Sequence, residues 1–313
     1  MASDRENANA KWSAHAKTYT SVFSSLTRRW AVDALQIAHH DILSKLRPYS
    51  SDSSYPPRFH FMDVGCGPGV LTFEFARRYL APNVRVTASD VSDAMLQQVT
   101  DTLKQDPALS TFQSQITTLQ SDGTRLDSVP DASVDILGSN FGLGIFPNRK
   151  QAWATAHRVL KDDGLLLVTA WSDKSSQMVW FDHVTDMFNA VGGEGERLEY
   201  PYLIAGTDRS RILKELQTAG FRDVKTYVTT HTIVFDDPKA LVEANMSNPF
   251  TAKFLERLTM EQVTTTLTDL IERDAHDNFY QEEARGATDT SDPFSDGLPR
   301  LIPFTAFTIL ARK

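Results

Sequence analysis

The sequence predicts an α/β protein built on a doubly wound, mostly parallel sheet. Three observations carry that prediction. From Phe59 onward, short apolar runs of strand length alternate with apolar patterns of helical period. The first three strands each end at or beside an acid, Asp63, Asp90 and Asp122. The first strand runs straight into the glycine-rich turn Gly65-Cys66-Gly67-Pro68-Gly69, with a helix pattern directly behind it. In such a sheet the carboxyl ends of the strands share one edge, where ligands bind.

Taken in order, residues 11–47 carry an apolar stripe (Trp12, Ala16, Tyr19, Phe23, then Trp30, Ala34, Ile37 and Leu46) at helical spacing. It suits a helix packed on the core, or a lid bringing aromatic rings over a pocket. Tyr49 to Pro57 is polar and ends in two prolines, a linker. The strands are 59–64, 84–89, 115–120, 134–139 and 165–171, the last apolar enough to be buried on both faces. Helices fill 70–80, the stretch from Ser92 (an N-cap), and the stretch through Ala152, Ala156 and Val159, with a turn at Asp163-Gly164. Further helices are expected at 176–191, at 208–219 ending on Gly220, and at 238–276 with an interruption at Asn248-Pro249. Strands are expected at 223–235 and 304–310, with a Gly/Pro/Asp/Ser-rich loop at Ala284–Pro299 between the last helix and the last strand.

The 313 residues are 41% hydrophobic and 23% charged, the balance of an ordinary globular protein. A net charge of -8 without a long basic run argues against a nucleic-acid partner. Cys66 is the only cysteine, so no intrachain disulfide or cysteine-based zinc site exists, and no metal is expected. The start carries early acids and no apolar signal region, and no apolar run approaches a membrane span. A cytoplasmic protein, monomeric or homodimeric, is the expectation.

The glycine turn tells more. Carboxylates only accept hydrogen bonds, so acids at strand ends suit a ribose diol, an exocyclic amine or an ammonium. A dinucleotide fingerprint needs G-x-G-x-x-G with helix amides around a pyrophosphate. Here Val70 stands where the third glycine belongs, Pro68 removes an amide, and nearby acids would repel a pyrophosphate. A neutral or cationic nucleoside fits better than NAD, which speaks against an NAD-dependent reductase.

These stretches resemble the class I S-adenosylmethionine-dependent methyltransferases, in particular the type-11 group that includes the ubiquinone/menaquinone-biosynthesis C-methyltransferases. The matching segments are DVGCGPG (63–69), SDVSDAML (89–96), SDG (121–123), VPDASVDILGSNFGLGIFPN (129–148), HRVLKDDGLLLVTAW (157–171) and LQTAGFRDV (216–224). The sequence departs from the group in having His157-Arg158 where an acid is usual and Asp162-Asp163-Gly164 for the Pro-Gly-Gly turn. The resemblance implies a Rossmann-like seven-stranded sheet. It divides the chain into an N-terminal helical lid (1–50) and a cofactor-binding domain (58–313) with helical cap insertions at about 172–202 and 238–280. It implies S-adenosylmethionine as cofactor, with S-adenosylhomocysteine as product. Asp63, Gly65, Cys66 and Gly67 would line the methionine portion, Asp90 the ribose, Val91 and Met95 the adenine ring. Asp122 and Gly123 would meet the adenine amine, and Asn140 and Phe141 the route of the methyl group.

Methyl transfer needs an acceptor held in line, and a carbon or hydroxyl acceptor more often needs a base. Tyr19, His15, His183 and His231 are candidates by residue type. Trp12, Tyr19, Phe23, Phe146, Trp171, Trp180, Phe181 and Tyr202 make the added segments aromatic. Such rings could hold a flat acceptor or stack on an amine, or form the core between cap and sheet. The expected partner is a small-molecule acceptor that is aromatic, amine or lipid-like. RNA-base methylation and non-catalytic cofactor binding are the alternatives.

Overall fold

The structure, a computed structural model, describes residues 2–46, 59–192, 197–198, 208–249, 251–276 and 300–313. The chain opens with α1 (Ala2–Thr18), a π-helical stretch at Tyr19–Phe23, α2 (Ser24–Ile37) and α3 (His39–Leu46). Then come β1 (Phe59–Val64), α4 (Val70–Tyr79), β2 (Val84–Asp90), α5 (Asp93–Gln105), α6 (Pro107–Ser110) and β3 (Ile116–Gln120). β4 (Val134–Asn140), α7 (Arg149–Val159), β5 (Leu160–Trp171), α8 (Ser176–Val191), α9 (Arg209–Thr218) and β6 (Arg222–Phe235) follow. The described chain closes with α10 (Pro238–Met246), α11 (Thr251–Phe254), α12 (Met260–His276) and β7 (Arg300–Arg312).

The seven strands form one sheet in the order β3-β2-β1-β4-β5-β7-β6. β7 pairs antiparallel with both of its neighbours, and the other strands run in one direction. β1 shows why the sequence reads as a doubly covered strand: all six residues are buried. Phe59 and Phe61 point to one core, where Phe61 stacks on Phe75 of α4 at 3.9 Å. Met62 and Val64 point to the other, against Leu137, Trp153 of α7 and Leu216 of α9. α2 and α3 share the first face with α4 and α5, and Arg28 pairs with the buried Glu74 of α4 at 2.6 Å. A third core lies beyond the carboxyl half of the sheet. There Trp30, Phe141, α8 and α10–α12 enclose the first half of β7 around Phe304.

The α/β class is as the sequence predicts, and three local expectations change. The N-terminal helix begins at Ala2 and is interrupted by the π stretch and again at Ala38. Asp163-Gly164 is not a turn ahead of the strand but sits inside β5: Val134 pairs with Leu160 and Ile136 with Leu165, so the intervening β5 residues form a bulge with Asp163 at φ 61°. The helix expected over 238–276 has the interruption expected at Asn248-Pro249 and a second, unexpected one between Phe254 and Met260. The expected linker 49–57 and loop 284–299 lie outside the described residues. Among the described residues no helix is long and apolar enough to cross a membrane.

Candidate active site

The site begins where β1 meets α4. The N-cap of α4 is Gly69, held at φ 89°, which offers no side chain to the first helical amides. Asp63 does that work from the end of β1. Its Oδ2 accepts from the Thr72 backbone N–H at 3.0 Å and the Thr72 hydroxyl at 2.7 Å. The carboxyl is fully buried, and its Oδ1 finds no hydrogen-bond partner among the described residues. Burial pushes its pKa up to about 7, against the lowering influence of Thr72. Thr72 is a residue that sequence inspection missed. Its signal is a threonine at the third helical position behind a cap that cannot cap.

Asp90 at the end of β2 braces the loop. Its Oδ2 accepts from the Gly67 N–H and its Oδ1 from the Ser92 N–H, both at 2.9 Å, while burial raises its pKa. The Cys66 N–H in turn donates to the Ser89 carbonyl at 3.0 Å. Burial holds the Cys66 thiol well above its ordinary value, so the thiol fills space under the loop rather than acting as a nucleophile. Met95 is buried and its N–H donates to the Ser92 cap of α5, and Val91, just ahead of that cap, is half-buried.

Asp122 accepts from Thr124 through both its backbone N–H (2.8 Å) and its hydroxyl (2.7 Å), closing a local turn. Gly123 is glycine for a packing reason. A Cβ there would lie 2.4 Å from the Phe146 ring, and one at Gly65 would lie 3.1 Å from the same ring. Phe146, expected to meet the acceptor, therefore packs against the glycine turn and Gly123. Asn140 ties the sheet to α2: it accepts from the Thr169 hydroxyl at 2.8 Å and donates to the Thr27 carbonyl at 3.3 Å. Phe141, at φ 61°, stacks on Trp171 at 4.1 Å, and the two rings pack edge-on against Trp30.

The N-terminal segment lies over this edge. Ser13 bonds to Ser92 and to Asp93 at 2.8 Å each, which clips α1 to the start of α5. One turn on, Tyr19 is half-buried on the π stretch, its ring 3.9 Å from where a Cβ of Gly67 would stand. Its phenol bonds to Thr27; burial pushes its pKa up to about 12, with Asp90 and Asp63 adding to the rise. Single π turns recur at functional sites. Trp12, Tyr19 and Phe23 surround the ring of His15 at centroid distances of 6.1, 5.9 and 6.3 Å. His15 is buried, its Nδ1 3.0 Å from the Ser247 hydroxyl, and burial lowers its pKa to about 4.

The other predicted residues lie elsewhere. Trp180 and Phe181 fill the cap interior: the Trp180 N–H donates to Asp274 at 2.7 Å and Phe181 stacks on Phe254. They are core residues because α8 turns its apolar face to α11 and α12. His183 is exposed on the opposite face of α8. His231 is engaged with Asp33 at 2.7 Å and with the edge of Trp30. Tyr202 lies outside the described residues. Among those described, no group of three His, Cys, Asp or Glu residues could hold a metal ion.

A Rossmann-like sheet with its last strand reversed, a glycine turn on β1 and acids at the next strand ends define a nucleoside-cofactor enzyme. Residues 62–168 match the family described as a methyltransferase domain, Methyltransf_11. The ubiquinone/menaquinone biosynthesis C-methyltransferase UbiE of Teredinibacter turnerae is 28% identical over 191 residues, 58% of this chain and 74% of that protein. The protein of the same name from Shewanella pealeana is 24% identical over 230 residues, 70% and 88% of the two chains. The crystal structure of the YcgJ protein of Bacillus subtilis superposes with a TM-score of 0.51 at 14% identity, covering 88% of this chain and 98% of that one. The chain carries a class I S-adenosylmethionine-dependent methyltransferase domain of the type-11, UbiE-like group, and S-adenosylmethionine is its cofactor. The buried, unpartnered Asp63 Oδ1 beside the glycine turn fits that cofactor, because an anionic acceptor there suits an ammonium.

Proposed function

We propose that this methyltransferase acts on a flat, hydroxyl-bearing aromatic small molecule and methylates it on ring carbon. The observation that carries the proposal is the cluster of Trp12, Tyr19 and Phe23 around His15, which Tyr19 joins to the Gly67 turn. Its walls are uncharged rings, which suit a flat apolar ligand. The UbiE relatives are named as C-methyltransferases, which supports carbon as the acceptor atom. The net charge of -8 favours this over an RNA base.

Bound S-adenosylmethionine supplies an activated methyl group on a sulfonium. The residues suited to hold it are Asp63 for the amino group, Gly65 and Gly67 for close backbone approach, and Asp90 for the ribose hydroxyls. Met95, Val91, Asp122 and Gly123 suit the adenine. The chain's further task is orientation, which can be worth about 7–11 kcal/mol when the acceptor is aligned. Residues 1–50 act as the lid, with α1 and the π stretch closing over the turn and keeping water from it.

The test is a panel of hydroquinones, phenols and amines incubated with isotopically labelled S-adenosylmethionine and read by mass spectrometry. Label on a ring carbon of hydroxylated aromatics is the expected result. Label confined to amines, or to oxygen, would overturn the proposed acceptor.

A further inference from the structure

His15 is a buried imidazole whose hydrogen-bonding partners can be counted. Its Nδ1 is 3.0 Å from the Ser247 hydroxyl, and the same hydroxyl lies 3.0 Å from the Ala244 carbonyl. A carbonyl can only accept, so Ser247 satisfies both contacts by donating to Ala244 and accepting from His15 Nδ1–H. The tautomer follows from this network: the proton sits on Nδ1 and the lone pair on Nε2. Nε2 is buried and has no hydrogen-bond partner among the described residues. Only about 2% of His15 is exposed, so bulk water does not reach it. Native proteins rarely leave such an acceptor unpaired without a functional reason.

The surroundings specify the partner. Trp12, Tyr19 and Phe23 wall the imidazole, and Tyr19 bridges from His15 to the Gly67 turn. A ligand donating to Nε2 must therefore be flat and apolar apart from one donor. We propose that Nε2 of His15 receives the hydroxyl of the aromatic methyl acceptor and takes its proton as the ring carbon is methylated. This rests on the acceptor class of the proposed function. In the step, the acceptor O–H bond breaks and its proton passes to Nε2. The oxygen's electron pair, delocalised into the ring, makes the adjacent carbon nucleophilic toward the methyl group. The methyl–sulfur bond breaks with its pair left on sulfur, the ring C–H proton leaves to water, and Nε2 returns its proton to the oxygen. Donor, acceptor and water balance, with one proton released.

The other candidates do not compete. Tyr19 keeps its phenol proton because burial raises its pKa to about 12. His231 is held by Asp33, and His183 is exposed on α8.

The experiment compares wild type, His15→Gln and Ser247→Ala on a phenol or hydroquinone found by the acceptor panel. It is repeated with a nitro-substituted analogue whose hydroxyl is already ionised. Calorimetric titration with S-adenosylhomocysteine reports folding independently of turnover. His15→Gln should bind S-adenosylhomocysteine like wild type but lose ~100-fold in kcat on the un-ionised acceptor, the size of a lost general base. On the ionised analogue the loss should shrink to a few-fold, because no proton remains to be taken. Ser247→Ala should show a smaller loss with the same dependence on acceptor ionisation, and it carries the test should His15→Gln not fold. In wild type, nitrogen NMR should find His15 protonated on Nδ1 alone. Equal losses on both acceptors, unchanged kcat in both variants, or a proton on Nε2 would overturn the role of His15. Methylation of no hydroxylated aromatic by the wild type would instead overturn the acceptor class.

Discussion

The strand-end crevice and the aromatic enclosure beside it are held together over different distances along the chain. In the crevice the polar contacts are short-range: Asp63 to Thr72 across nine residues, Asp90 to Ser92 and Asp122 to Thr124 across two, and Asp90 to Gly67 across 23. In the enclosure and the cap behind it they are remote. His15 meets Ser247 across 232 residues, Trp30 donates to Thr229 across 199, and Trp180 reaches Asp274 across 94. The first region is a polar cradle fixed by the first strand-turn-helix unit and the end of the next strand. The second is assembled only when the N-terminal helices dock against α10 and the sheet. The proposed function places cofactor holding in the first and acceptor choice in the second, and substitutions can set the two apart.

The largest expected effect lies in the crevice. Asp63→Asn keeps an oxygen for Thr72 but removes the charge offered by Oδ1. It should weaken S-adenosylmethionine binding by about 100-fold, the worth of a hydrogen bond to a charged group. Calorimetry measures this, and an unchanged thermal midpoint shows that the fold is kept. Next comes Gly69→Ala. At φ 89° a Cβ is strained and would sit 2.8 Å from the Phe73 ring, so a loss of about 2 kcal/mol in unfolding free energy is expected in urea titration. In the enclosure, Trp12→Ala should raise the acceptor KM by ~10-fold while cofactor affinity moves by less than ~2-fold. Steady-state kinetics with saturating cofactor would expose any mixing of the two roles.

The smallest effects are linked to pH. Burial raises Asp63 from 3.8 to about 7, so between those values the native chain holds a proton that the unfolded chain has lost. That stabilisation is complete below about pH 4 and disappears as pH rises through about 7. His15 and His60 work in the opposite sense. Burial lowers both from 6.5 to about 4, with Arg85 adding to the shift at His60. Their contribution is full above pH 6.5 and lost as pH falls through about 4. The signs are separable by substitution: relative to wild type, His60→Gln should lose less thermal midpoint between pH 6.5 and 4. Cofactor binding at pH 6 should release about one proton from Asp63, and Asp63→Asn should release close to none. Titration in buffers of different ionisation enthalpy measures the count.

The contrast between local and remote contacts also explains what the sequence could reveal. β1, the glycine turn, Asp90 and Asp122 are legible because each is a short pattern with its structural consequence next door in the chain. Thr72 is within reach of the same logic, since Gly69 leaves the amides of α4 in need of an acceptor. The pairing of His15 with Ser247 is not, because a buried histidine and a serine at a helix end carry no mutual signature at 232 residues' separation. Nor is the burial of Trp180 and Phe181, which depends on α11 and α12 arriving later in the chain. Phe146 shows the same limit from the other side. Its ring explains why positions 65 and 123 are glycine, a packing relation that no local pattern announces.

The division between cradle and enclosure is tested most directly by titrating S-adenosylhomocysteine into wild type, Asp90→Ala and His15→Gln side by side. Asp90→Ala removes the acceptor of the Gly67 and Ser92 amides, and affinity should fall by about 100-fold. His15→Gln should bind as wild type does. Equal weakening in the two variants, or no binding to the wild type, would contradict the assignment of the cofactor to the strand ends and the acceptor to the N-terminal enclosure.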